Sequence, residues 1–253
     1  MLETFAYIYI FILGLILGSF YNVVGIRTAD KQSIVTPRSH CPNCQHTLSA
    51  SELIPVVSYL LQKGSCRHCH AKISAKYPLF EIVTASLFTI SPVLVGWSKE
   101  LLIVLLLISL VVIVTISDLY KMLIPNQVLL FFTLVTIVVR FFIPMLPWWD
   151  AYAGALLGFV ILFLIAIVSK GGMGGGDIKY FGVLGFFLGM KGIVLTLVLA
   201  AFLGAIFGLV FMMLKKIQRK QPMPFAPFIG TAALISYFFG EDIWHAYLKF
   251  VTF

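Results

Sequence analysis

Residues 101–118 read LLIVLLLISLVVIVTISD, an uncharged apolar run closed by an aspartate. A stretch of this length and composition is a membrane-crossing helix in its simplest reading. Working outward, comparable runs recur at 5–26, 78–97, 126–147, 150–169, 178–190, 192–214 and 225–240, which makes eight with the run at 100–117. The runs at 178–190 and 225–240 fall short of the ~20 residues of a full crossing and are expected to tilt, re-enter or borrow flanking residues. Of the 253 residues 60% are hydrophobic and 11% charged, and the mean hydropathy is +1.03. Such a composition excludes a soluble domain. The expected fold class is all-α, a polytopic integral membrane protein of about eight helices with a small zinc-ribbon-like insert.

Charge fixes the expected orientation. Fourteen of the 18 lysines and arginines fall on one side of an eight-crossing topology, seven of them in the loop 27–76 and four at Lys215, Lys216, Arg219 and Lys220. Loops rich in these residues stay in the cytoplasm, so both termini are placed outside. The net charge of +8 is then a cytoplasmic excess facing anionic membrane lipids, not a nucleic-acid footprint. The first run lacks a basic leader before it and reads as a retained helix instead of a cleaved signal. Three segments follow: a first transmembrane helix (1–26), a cytoplasmic cysteine-rich loop (27–76) and a membrane-embedded core (77–253).

All four cysteines lie in that loop, as Cys41-Pro42-Asn43-Cys44 and Cys66-Arg67-His68-Cys69, with 21 residues between the knuckles. Two C-x2-C knuckles offer four thiolates to one tetrahedral zinc, although the spacer is one residue longer than usual. Disulfides are the competing reading, disfavoured in a reducing cytoplasm. His40, His46, His68 and His70 are alternative ligands or outer partners, but four thiolates already close a site. A closed site holds shape and leaves no open position for chemistry.

Ten acidic residues occur, and seven (Glu3, Asp30, Glu52, Glu100, Asp150, Glu241, Asp242) fall in expected loops or tails. Glu81, Asp118 and Asp177 lie in or beside spans. Asp118 ends its helix at the negative pole of the dipole and is not explained as a cap; an interfacial pair with Lys121 is the plain alternative. Asp177 follows Gly172-Met173-Gly174-Gly175-Gly176, where an aspartate is a favoured N-cap. The glycines resemble a phosphate loop only superficially, because a membrane span precedes them. Taken together, two carboxylates on one membrane face suit an aspartic protease, in which one keeps a proton and the other activates water. Lys179 balances local charge or snorkels. Glu81 is either functional or an interfacial partner of Lys76 or Lys72, and Arg140 pairs with a carboxylate or snorkels outward.

Several separated motifs resemble the type IV prepilin peptidases, or leader peptidase/N-methyltransferases. They are Gly18-Ser19-Phe20-Tyr21-Asn22 with Arg27, the two knuckles, Ile54-Pro55 with Ser58-Tyr59-Leu60, Tyr77-Pro78 with Glu81, Asp118 with Ile124-Pro125-Asn126, and Gly172-Met173-Gly174-x-Gly176-Asp177-x-Lys179. The resemblance implies a bacterial inner-membrane enzyme that cuts the basic leader from prepilins or pseudopilins after a glycine, on the cytoplasmic side. It implies catalytic roles for Asp118 and Asp177. It also implies N-methylation of the new terminus with S-adenosylmethionine, for which no cofactor residues are legible. The competing functions are an intramembrane aspartic protease with other substrates and a proton-coupled transporter whose intramembrane acids carry protons.

Overall fold

The computed structural model describes residues 2–169, 173–214 and 223–251. Lys170, Gly172 and the basic cluster Lys215, Lys216, Arg219 and Lys220 lie outside the described residues. The elements are helices α1 (Leu2–Ala29), α2 (Val57–Leu61), α3 (Lys76–Val95), α4 (Glu100–Lys121), α5 (Asn126–Phe142), α6 (Asp150–Val168), α7 (Gly175–Met213) and α8 (Ala226–Val251), plus one 3₁₀ turn, Ala50–Leu53. Among the described residues there is no strand beyond two isolated bridges in the cysteine loop. The all-α expectation holds. Five helices, α1, α3, α4, α6 and α7, are long and apolar enough to cross a membrane, so the protein is a multi-pass membrane protein. The chain forms two compact units, Met1–Leu101 and Leu102–Phe253.

In the first unit α1 packs on α3 through Gly14 and Gly18. A Cβ at Gly14 would lie 2.6 Å from the Ala85 Cα, and one at Gly18 2.9 Å from the Glu81 Cα. This is the small-x3-small contact by which membrane helices bring their backbones together. Asn22 then donates to the Tyr77 carbonyl across the same seam.

In the second unit α4 is buried on nearly every face, with Ile103, Val104, Leu107, Ile108 and Leu110 fully enclosed. A helix apolar all round belongs at the centre of its bundle. The runs expected at 178–190 and 192–214 prove to be arms of one element, α7, broken at Gly189 (φ 66°, ψ −176°). Gly158 of α6 approaches both Phe181 and Ile193. Twelve residues apart in a straight helix, those two would be ~18 Å from each other, so the arms double back on themselves at Gly189. Only glycine adopts that backbone readily.

The reversal is buttressed by charge. Buried Arg140 donates to the carbonyls of Phe186 (3.2 Å) and Phe187 (2.8 Å), the end of the first arm. Asp150 accepts from the Met190 N–H at 3.3 Å, the start of the second. A cation on a helix C-terminus and an anion on an N-terminus both satisfy orphan backbone groups and oppose the dipole. Arg140 is buried and does not snorkel outward, and Asp150 is a buttress in place of a loop residue. Glu241 and Asp242, also expected in a tail, lie inside α8, which continues to Val251.

Candidate active site

The site of interest lies at the opposite end of the second unit. After α4 the chain turns sharply: Met122 takes a left-handed backbone (φ 52°), its N–H bonds the Asp118 carbonyl at 2.7 Å, and the Ser117 hydroxyl donates to the Leu123 carbonyl at 2.6 Å. That turn lays Ile124 against the start of α7. A Cβ on Gly176 would stand 3.0 Å from the Ile124 Cβ, so the glycine is what lets the two segments meet. Lys179 of α7 donates to the Asn126 side chain of α5 at 3.0 Å, which ties the two helix starts together. The lysine is thus a strut between helices.

Asp177 is not the N-cap of α7. Gly174 holds that position, and Asp177 sits three residues on, its carboxylate reaching back to the Gly174 backbone N–H, as the acid of a capping box does. Asp118 is 6% exposed, and its Oδ2 accepts the Ala226 N–H at 3.0 Å. Ala226 opens α8, so the carboxylate that gains nothing from its own helix is held at the N-terminus of another. The two carboxylates lie within electrostatic reach of each other. Two helix N-termini, those of α7 and α8, thereby converge on one pair of acids.

Beneath them is Tyr180, fully buried. Among the described residues its hydroxyl has no hydrogen-bond partner, and it lies within electrostatic reach of both aspartates. An unmade buried hydrogen bond costs about 1–3 kcal/mol. Neither the Ala226 contact nor Tyr180 was signalled in the sequence.

In the first unit the four cysteines gather with all Sγ atoms within 4.8 Å of one another. Cys41 and Cys69 are 3.7 Å apart and Cys44 and Cys66 4.0 Å, near the ~3.8 Å that ~2.3 Å metal–sulfur bonds give in a tetrahedron. The knuckles share one hydrogen-bond pattern: Cys41 N–H to the His46 carbonyl and Gln45 N–H to the Cys41 carbonyl, then Cys66 N–H to Ala71 and His70 N–H to Cys66. The residue after each knuckle, Gln45 or His70, is left-handed. The Asn43 side chain, with the Ala71 N–H, holds the Cys69 thiol down at about 6. At Cys44 the His46 N–H pulls the thiol down, but desolvation and the neighbouring sulfurs push it up to about 11. The cluster can bind a metal ion. Among the described residues no histidine joins it; His46 and His68 stack on each other with centroids 3.5 Å apart.

Glu81, 7% exposed, accepts the Val56 N–H at 2.7 Å and bonds the Ser19 hydroxyl. Val56 is left-handed (φ 60°), a costly state for a β-branched residue. Glu81 therefore pins the cysteine loop to α1 and α3, and neither Lys72 nor Lys76 is its partner in a salt bridge of the described residues.

An all-helical membrane bundle with two acids near converging helix ends is compatible with a membrane-embedded aspartic peptidase. Residues 12–95 match the bacterial peptidase A24 N-terminal domain, and residues 105–209 the type IV leader peptidase family. The chain is 42% identical to the prepilin leader peptidase/N-methyltransferase of Bacillus subtilis over 95% of its own length and 97% of that protein's. The proteins of the same name from Aeromonas salmonicida and Pseudomonas aeruginosa are 34% and 31% identical, over 95% and 96% of this chain and 93% of each relative. No solved structure matches. The chain belongs to the type IV leader peptidase family, a family of aspartic peptidases, and is an enzyme.

Proposed function

We propose that this enzyme removes the leader from type IV prepilins or pseudopilins after a glycine, at the cytoplasmic face of the bacterial inner membrane, with Asp118 and Asp177 as its catalytic pair. The observation that carries the reading is that these two carboxylates, 59 positions apart in the chain, come within electrostatic reach of each other at the N-termini of α7 and α8. Two acids so close do not both ionise cheaply. One retains its proton and polarises the scissile carbonyl; the other takes a proton from water, which attacks that carbonyl. The helix N-termini favour the single negative charge that the pair must carry.

Eight crossings fit the reading, since the doubled arms of α7 supply two and α5 and α8 complete the set. The basic loops then share the cytoplasmic side with both aspartates. A substrate's apolar helix packs laterally in the membrane while its basic leader stays in the cytoplasm. Cys41, Cys44, Cys66 and Cys69 hold a structural zinc that keeps the loop folded. N-methylation of the new terminus with S-adenosylmethionine rests on the family and its named relatives; no residue is assigned to the methyl donor.

The test is mass spectrometry of a prepilin-derived substrate incubated with the detergent-purified enzyme and S-adenosylmethionine. Cleavage after the leader glycine, lost in Asp118→Ala and Asp177→Ala, is the expected result, with one added methyl on the new terminus. An intact substrate under conditions where a related prepilin peptidase works would sink the proposal.

A further inference from the structure

The aspartates leave one polar group at their site unexplained. Tyr180 lies three residues after Asp177, on the same face of α7, and helical side chains lean toward the N-terminus, so its ring points back to the turn that carries Asp177. Its hydroxyl rests by Gly230 of α8, where a Cβ would approach to 3.3 Å. Gly230 is one turn below Ala226, whose N–H holds Asp118. The phenol thus stands between the elements that fix both carboxylates, fully buried and without a partner among the described residues. Phenylalanine would fill the same volume, so packing alone does not call for the hydroxyl.

We infer that Tyr180 is a positioning residue for the aspartate pair: its hydroxyl donates a hydrogen bond, across one water, to the carboxylate that carries the charge. This rests on the peptidase reading above. The donor is built into the floor of the site and needs no reorganisation when the attacking water gives up its proton. It acts on the acids and not on substrate binding.

Several ionisable groups of the same unit are engaged elsewhere. Lys179 is engaged with Asn126. Arg140 and Asp150 sit at the Gly189 reversal, and Tyr152 packs on Phe186 near that end. The ionisable groups of α8 begin at Tyr237, two turns beyond Gly230.

The experiment is steady-state cleavage of a prepilin-derived peptide by full-length wild type and Tyr180→Phe, with thermal unfolding of both proteins. We expect kcat to fall about tenfold or more, as loss of a hydrogen bond to a charged group does, with KM within about twofold and no drop in Tm. Unchanged kcat overturns the inference. So does a fall in kcat that tracks a fall in Tm, which would make the tyrosine a packing residue. Failure of the wild type to cleave would overturn the peptidase reading itself, an outcome distinct from either.

Discussion

The two ends of the second unit use the same helix-end electrostatics to opposite purposes. At the Gly189 end, Arg140 meets terminal carbonyls and Asp150 meets a terminal N–H, so every charge is answered by a backbone pole of opposite sign. At the other end, two carboxylates share two helix N-termini. One end is a closed account of charge that makes a rigid reversal. The other gathers two acids at helix N-termini beside a buried phenol, the arrangement proposed here as the catalytic pair. Rigidity at one pole lets unsatisfied groups persist at the other.

Substitution should separate the two ends most sharply at the acids. Asp118→Asn or Asp177→Asn should reduce prepilin cleavage at least about a thousandfold, since paired groups act as a unit, while thermal unfolding stays near wild type. Equal loss of Tm would erase the distinction. At the closed end the balance should invert. Arg140→Met leaves two buried carbonyls without their donor and should cost about 2–4 kcal/mol, seen as a fall in Tm of about 5–10 °C, with kcat per folded molecule within a few-fold. A smaller effect is expected from Cys66→Ser: metal analysis should show about one zinc per wild-type chain and its loss in the variant, with faster proteolysis inside 27–76 and little change in the main unfolding transition. The smallest belongs to Lys179→Met. Its bond to Asn126 is solvent-exposed, and exposed contacts contribute little, so cleavage should change by less than about threefold.

What was legible in the sequence divides along the same line. The aspartates and the cysteine knuckles stood out because rare side chains at fixed spacing answer to one another. Apolar runs located the helices because hydrocarbon demands them. The Gly189 buttress and the Ala226 cap were hidden for a common reason: in each, a side chain meets a backbone atom, and every residue has the same backbone. Arg140 suggested a carboxylate partner or a snorkelling side chain, because the carbonyls of Phe186 and Phe187 that it meets leave no mark in composition. Lys191 suggested a loop between two runs, whereas the chain turns two residues earlier within one element. Glu241 and Asp242 made α8 look shorter than it is, since hydropathy registers charge and the helix continues regardless. Tyr180 read as one aromatic among many until burial left its hydroxyl without a partner.

The buttress at Gly189 also orders the making of the protein. Arg140 and Asp150 both precede residue 189, on α5 and α6, so the ribosome has delivered them before the reversal emerges. A chain that folds in the direction of its synthesis meets the turn of α7 with its fittings already in place. The converse holds for the acids: Asp118 is made early, but the N–H that holds it belongs to Ala226, more than a hundred residues later. The proposed aspartate site is therefore completed late, and no nascent chain that stops short of Ala226 carries it whole.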